Sequence, residues 1–510
     1  MKVKDRSTFV EASQVAKGPI IFIMVLGAFV AILNQTLMNI ALPVMMVDLD
    51  ITENTAQWLT TVFMLVNGIL IPITAFLMEK FSTRKLFLTA MSLFAIGTLI
   101  CGISPSFSMI MIGRIVQAAG AGIMMPLLTN VILSLFPLEK RGSAMGLIGL
   151  AMMFAPAIGP TLSGWIVQNY SWRLLFFIVL PIAVIDVILA FFLLRNVTKL
   201  SNPKMDISSI ILSTFAFGGL LYGFSTAGNS GWGETEVIAS LAIGGIAMII
   251  FVIRQMRLSN PMLEFRVFKY NMFTLTTIIN VVVTMAMFAS MILVPLYLQI
   301  VRGFTPLESG LLLLPGAIIS GIMSPITGKL FDKIGARPLA LVGLAITAVM
   351  TFFFTDLTDS TSYMHMMIIY SARMIGISMI MMPIMTAGLN QLPRRYYSHG
   401  TAMANTLRQV SGAIGTAFLV TVMSNQRTAH MSEFLPNDAA NPQMYAFQHA
   451  TIEGINDSFM VATVFAVIGF ALSFFIKQVR PADEIEAEQN TKKESLQSTM
   501  TAGQTPTPQK

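Results

Sequence analysis

The chain has 510 residues, of which 55% are hydrophobic and 11% charged. A soluble domain carries about 25% charged residues, so this composition excludes an ordinary soluble protein and points to lipid as the solvent. A formal net charge of +7 could suit nucleic acid, but the charges sit where loops at a membrane surface would place them, so no nucleic-acid partner is expected.

Charge-free runs cover residues 18–47, 54–78, 142–172, 207–233 and 270–301. Each exceeds the roughly 20 apolar residues that cross a bilayer core. Lipid leaves the backbone only helices or closed barrels, and these runs are too continuously apolar for the alternating strands of a barrel. The fold class is therefore an all-α polytopic membrane protein. From the N-terminus the pattern predicts a short arm over residues 1–18. Fourteen spans follow, near 19–43, 54–78, 86–104, 107–135, 143–167, 172–194, 207–227, 237–253, 271–300, 309–329, 338–355, 363–391, 403–425 and 457–477. The eighth is the shortest, with 17 uncharged residues between Glu236 and Arg254. Residues 426–456 read as the longest loop between spans, and 479–510 as a polar, disordered tail. The first run lacks a small-residue cleavage site and precedes many more spans, so it reads as a span rather than a signal peptide. Cys101 is the one cysteine, which excludes an intrachain disulfide.

Lys and Arg set the orientation. With the N-terminus in the cytoplasm, the inner segments hold 26 of the 32 basic residues, whereas the outer loops hold Arg302 and Arg427. Arg114, Arg173, Arg373 and Arg408 fall within or at the edge of spans. Such alternation would fail if a span were missed, so it supports fourteen spans with both termini cytoplasmic in a cell membrane, bacterial by expectation.

The chain also repeats itself. Residues 75–84, Ala-Phe-Leu-Met-Glu-Lys-Phe-Ser-Thr-Arg, match residues 328–337, Gly-Lys-Leu-Phe-Asp-Lys-Ile-Gly-Ala-Arg, 253 positions later. An arginine follows each copy in the next-but-one span, Arg114 and Arg373, and then Met-Met-Pro at 124–126 and 381–383. The repeat divides the chain into an N-terminal six-helix bundle at 19–195, a linker with two inserted helices at 196–270, and a C-terminal six-helix bundle at 271–478. Two bundles related by an axis along the membrane normal can rock about a site at mid-depth. That is a transport architecture.

The repeated loop resembles the GxLaDrxGrk signature between helices 2 and 3 of the major facilitator superfamily. The second copy matches well. The first is degenerate, with Ala75, Glu79 and Ser82 for Gly, Asp and Gly. The run from Arg114 through Gln117 and Gly120 to Gly122 is similar to the helix-4 motif RxxqGxG. Residues Ala155–Gly164, with Gly159-Pro160, resemble the helix-5 antiporter motif gxxxGPxxGG. Residues Leu33–Pro43 resemble the LDxTIVNVALP motif of helix 1, with Asn34 where that motif has its acid. The resemblance covers residues 19–478. With fourteen spans it points to the drug:proton antiporter-2 branch, in a variant similar to Gram-positive lincosamide exporters. It implies export of amphipathic drugs or toxic compounds by proton antiport, and antibiotic resistance. Its partners would be small amphipathic substrates, protons and membrane lipids, with no cofactor and a monomeric chain.

For proton coupling the candidates are Asp186, Arg114 and Glu308. Asp186 is the carboxylate well inside a span, about 13 Å from Arg195 along a helix, and intramembrane acids are expensive and usually functional. Against it, the sixth helix is peripheral in this fold, and a tolerated structural acid is the competing reading. Arg114 stays charged at ordinary pH, so it can hold an acceptor or tune an acid without carrying the proton. Glu308 is the weaker candidate, more readily a solvated cap of a helix N-terminus. The candidate gating and antiporter residues are Glu79, Arg84, Gly159, Pro160, Asp332, Arg337 and Arg373. The two loop acids are expected to cap the following helix and to pair with Arg or Lys across the bundle interface. Arg408 is expected to snorkel to the interface. Asn34, Gln35, Phe63, Asn67, Asn280, Tyr297 and Asn390 are the candidate lining of a substrate cavity. Each alone is more often a helix-packing residue than a ligand contact. The 39 methionines would suit a promiscuous apolar pocket, although core and lipid-facing filler accounts for most of them.

Other function classes are left without residues. No GxxxxGK[ST] loop occurs, so ATP is not expected to drive the process directly. His365, His399, His430 and His449 lie near span ends or in loops with no metal or catalytic spacing, against a membrane enzyme. A receptor would usually add a sizeable signalling domain. Export of an endogenous metabolite or lipid is the alternative within the transporter class.

Overall fold

Fourteen long helices run through the computed structural model, which describes residues 16–198, 200–201, 205–431, 434 and 442–477. In chain order they are α1 (Lys17–Leu49), α2 (Glu53–Lys80), α3 (Thr83–Gly102), α4 (Phe107–Leu135), α5 (Arg141–Asn169), α6 (Arg173–Leu193) and α7 (Ile207–Ser230). The rest are α8 (Thr235–Arg257), α9 (Asn271–Leu296), α10 (Pro306–Ile334), α11 (Ala336–Phe352), α12 (Tyr363–Gln391), α13 (Tyr397–His430) and α14 (Pro442–Ser473). Residues 1–15 of the expected arm and the whole tail 479–510 lie outside the described residues.

Thirteen of the helices are long and apolar enough to cross a membrane. The fourteenth is α13, diluted by Ser398, His399, Asn405, Arg408, Gln409 and Ser411. It nevertheless packs among α2, α7, α9 and α14. Much of its polarity is absorbed along its own backbone, as Thr401, Asn405, Thr406 and Ser411 each donate to a carbonyl one turn earlier. The 426–456 segment differs from expectation. Helix α13 runs on to His430 and α14 begins at Pro442, so most of the supposed loop is helix. The polar residues that suggest a loop are used between these two helices: Gln426 donates to Asp457 at 2.6 Å.

Helix ends follow local chemistry. Ser82 caps α3 by accepting from Lys85 N. Thr305 and Glu308 form a reciprocal capping box on α10, behind Pro306. Pro43, Pro72, Pro126, Pro156, Pro160, Pro315, Pro325 and Pro383 lie inside helices that continue past them. Packed spans tolerate the lost hydrogen bonds because neighbours re-satisfy the carbonyls.

Helices α1–α6 carry the first copy of the sequence repeat and α9–α14 the second. The bundles meet chiefly along α5 against α10 and α2 against α13. The inserted pair is separate: α7 covers the α2–α13 seam and α8 packs outside it. At the outset of α7, Asp206 takes two hydrogen bonds from Arg254 of α8, at 2.9 and 3.0 Å.

Candidate functional site

The bundle has a basic end, where the repeated loops lie. Among the described residues, the side-chain hydrogen bonds and ion pairs between the six-helix bundles gather there, apart from the one that Arg408 of α13 gives to Met152 of α5. Asp332, at the end of α10, accepts from the backbone N–H groups of Gly142 and Ser143 at 2.7 and 2.9 Å, and from the Ser143 hydroxyl. An acid is disfavoured at the C-terminus of its own helix and favoured at the N-terminus of α5. Glu79, its repeat mate on α2, accepts from Ser398 Oγ at 3.2 Å and lies 2.9 Å from His399 Nε2, in the first turn of α13. The other imidazole nitrogen, Nδ1, accepts from Glu264 N–H at 3.3 Å. Both repeat acids thus dock on the start of a helix in the opposite bundle. The expected Arg or Lys partner is not what they meet, because the helix N-terminus already supplies the positive potential. Nor do they cap the next helix. Ser82 does that for α3, and α11 begins at Gly335 without a side-chain cap.

The approach needs missing side chains. A Cβ on Gly328 would lie 2.2 Å from Gly142 O, and one on Gly142 would lie 2.5 Å from Asp332 Oδ1. Arg141 completes the closure. It donates to Phe136 O, Leu133 O, Asn390 Oδ1 and Tyr397 Oη at 3.1, 2.7, 2.9 and 3.1 Å. Asn390 is therefore part of this closure. Arg84 donates to Phe191 O of α6 at 2.6 Å, within its own bundle, and Arg337 is exposed.

Arg114 is fully buried at the centre of the N-terminal bundle. Its Nε donates to Leu59 O at 3.1 Å, and its Nη1 to Asn34 Oδ1 and Gln117 Oε1 at 2.9 and 2.8 Å. Phe63 lies under the guanidinium at 4.2 Å, and Gln117 donates onward to Thr98 Oγ1. Asn34 and Phe63 are thus brought together, as parts of an arginine cradle joining α1, α2, α3 and α4. Arg373 holds the matching place. It donates to Thr351 Oγ1 and Ala286 O at 2.8 and 2.9 Å, and is also fully buried.

Asp186 is fully buried, with neither carboxyl oxygen hydrogen-bonded among the described residues. It faces α1, where a Cβ on Gly27 would lie 2.9 Å from its Oδ2. Gly27 is seven residues before Asn34, about 10 Å along the helix, so Asp186 and the Arg114 cradle share α1 without touching. Glu308 is exposed and spent in its capping box. Gly159 lets α5 lie against α1, since a Cβ there would meet Thr36 Oγ1 at 2.2 Å, and Pro160 faces Gly310 of α10. Tyr297 is buried in a π turn, Tyr297–Val301, and its hydroxyl donates to Thr358 O. It braces the α11–α12 connection rather than lining a cavity. Gln35, Asn67 and Asn280 are half-buried.

The two halves share one further echo. Pro137 and Pro393 each precede a 3-10 turn, Leu138–Lys140 and Arg394–Tyr396, that feeds α5 and α13 respectively. The offset is 256, and Arg141 touches Tyr397, the residue at its own repeat position. The signal was a shared Leu/Phe-Pro step just before the fifth span of each half.

A sequence profile of the Major Facilitator Superfamily matches residues 24–416. The uncharacterized MFS-type transporter YhcA of Bacillus subtilis is 50% identical, over 91% of this chain and 94% of its own. The lincomycin resistance protein LmrB of Listeria monocytogenes is 46% identical, over 91% of this chain and 97% of its own. Among solved structures, the human organic anion transporter MFSD10 (TETRAN) superposes with a TM-score of 0.60 at 11% identity, covering 89% of this chain and 100% of that one. At that identity the likeness concerns the fold alone.

Proposed function

The chain belongs to the Major Facilitator Superfamily, and on that premise we propose that it is a secondary active exporter of amphipathic drugs or toxic compounds, working by alternating access and proton antiport. The observation that carries the reading is the paired closure at the basic end, where Asp332 and Glu79 each grip the start of the other bundle's α5 or α13. Rocking about a central axis breaks both at once, which is what a transporter with two access states requires. The similarity to a lincomycin resistance protein supports antibiotics as substrates.

In this reading the basic end faces the cytoplasm of a cell, by the placement of Lys and Arg, with both termini there. The closure then describes a state shut to the cytoplasm. Glu79 and Asp332 act as the gate, and Gly159-Pro160 as the point where α5 bends against α1 and α10. Asp186 is the acid to test for proton carriage, because it is buried within a span and has no hydrogen-bond partner among the described residues. Arg114 and Arg373 hold the bundles together internally through carbonyls and amides.

The test is a panel of lincosamides and other amphipathic toxicants on efflux-deficient cells expressing the chain, with proton release followed in inverted vesicles. Protection that depends on the proton gradient is expected. Loss of protection against every compound would overturn export of drugs. Substrate-induced proton release that survives Asp186→Asn would remove Asp186 as the carrier.

A further inference from the structure

Arg408 lies on the central axis of the molecule. Helices α5 and α13 are repeat mates, and Arg141 touches Tyr397 while Arg408 touches Met152, both pairs 256 positions apart. Equivalent positions of two pseudo-symmetric bundles can meet only where the symmetry axis passes. Two such contacts, eleven residues apart on each helix, therefore trace that axis between α5 and α13. Arg408 sits about 16 Å inward from the Arg141–Tyr397 closure, near the middle of a hydrocarbon core of roughly 30 Å. It is too deep for the interfacial snorkelling expected from its place in the sequence.

Its surroundings leave the guanidinium underused. Nη1 meets Met152 Sδ and Nη2 meets Asn405 Oδ1, both at 3.3 Å. Charge-assisted bonds to oxygen are shorter, about 2.7–2.9 Å, and a thioether is a weak acceptor. Arg114 and Arg373 are fully buried and held by oxygens, whereas Arg408 keeps open surface. Its contact with Met152 sets it at the seam where α13 of one bundle meets α5 of the other. None of the ion pairs among the described residues involves Arg408. One turn before Met152, Gly149 lies against Ser324 and Met382, so the floor around the cation is soft and largely apolar.

We propose that Arg408 is the anion-binding residue of the central pathway, and that the pathway favours amphiphiles carrying a carboxylate or comparable anionic group, with their apolar body against Met152 and Met382. This rests on the exporter reading for its biological sense, but the binding it asserts can be measured without transport. A guanidinium offers a carboxylate two parallel donors, and methionine adapts to bodies of varied shape. A permanent cation would meet an uncompensated like charge there.

Three probes share one ring system: 1-naphthylacetate, its methyl ester, and (1-naphthylmethyl)trimethylammonium. Isothermal titration into the purified full-length protein is expected to rank them in that order, with the acid at least tenfold tighter than the ester. Arg408→Gln should bring the acid to the level of the ester, and Arg408→Lys should keep part of the preference. Met152→Glu, which sets a carboxylate against the intact arginine, should abolish the preference as well, and it covers the case in which Arg408→Gln fails to fold. No binding of any probe, no preference for the acid in the wild type, or an unchanged preference in both Arg408→Gln and Met152→Glu overturns the proposal. Charge-ranked binding with no export of any probe from vesicles would count against the exporter reading while leaving the binding residue standing. Export blind to charge would do the reverse.

Discussion

At the residue scale the buried arginines show what an altered motif means physically. The helix-1 motif has an acid where this chain has Asn34, and Asn34 is the residue that accepts from Arg114 Nη1. A carbonyl oxygen replaces a carboxylate opposite the same cation. Removing it would strand a guanidinium whose Nη2 already lacks a partner among the described residues. Asn34→Leu is therefore expected to lower unfolding stability in detergent by about 1–3 kcal/mol, whereas Asn34→Asp should preserve or raise it. A thermal unfolding series would show the opposite order if the Arg114 cradle were not formed. Gly159 makes a steric case. Its missing Cβ would be 2.2 Å from Thr36 Oγ1, so Gly159→Val should separate α5 from α1, cost about 1–3 kcal/mol, and reduce export. Wild-type stability in that variant would count against the α1–α5 contact. The depth of Asn34, Arg114 and Asp186 was readable from their distance to span ends. Facing was not, because spans that are apolar all round show no preferred side. The hydrogen bonds that hold Tyr297 and Asn390 could not be foreseen for that reason.

At the element scale, hydropathy marked all fourteen helices because lipid demands long apolar runs, although α13 falls short of the apolarity of the other thirteen. It was weakest where packing replaces lipid. Helix α13 is enclosed by protein on several sides and can keep polar residues that satisfy themselves one turn back. The start of α14 was missed because its first turns are polar and lean on α13. The inserted pair depends on a different device. Arg254 of α8 holds the Asp206 carboxyl down to about 2, chiefly through its hydrogen bonds. The folded value lies below the ordinary Asp value of about 3.9, so the contribution is present at neutral pH and is lost as pH falls from about 4 toward 2. Hydrogen exchange at the start of α7 should be insensitive to this pair between pH 5 and 8. Protection should fall below about pH 4 in the wild type, and Asp206→Asn should remove that acid step. A step that persists in the variant would assign it to another group.

At the scale of the whole molecule the repeat was legible, and so was the idea of a gate, but its construction was not. Sequence spacing placed Glu79 and Asp332 in equivalent loops. It could not show that both would meet the start of α5 or α13, since that contact joins residues about 190 and 319 positions apart. The two grips also differ. Asp332 reaches backbone N–H groups through the Gly142–Gly328 approach, whereas the matching position in the first copy is Ala75, and Glu79 reaches side chains instead. Charge on backbone donors at a helix N-terminus is the better fixed of the two, so Asp332 should dominate the closure. In a Cys101→Ser background, spin labels at exposed positions Lys85 and Arg337 report the separation of the bundles at the basic end. Losing a helix-capping carboxylate costs about 0.5–2 kcal/mol. That corresponds to a shift of roughly 2- to 30-fold toward the open form in Asp332→Ala. Glu79→Ala should shift it less. If the bundles rock as rigid bodies, the closed state contains both grips and the open state neither, so the double variant should add the two shifts in logarithm. A distance distribution that opens fully with either change alone would mean that one grip merely follows the other. An unchanged distribution in the double variant would show that Arg141, through Asn390 and Tyr397, holds the end shut without them.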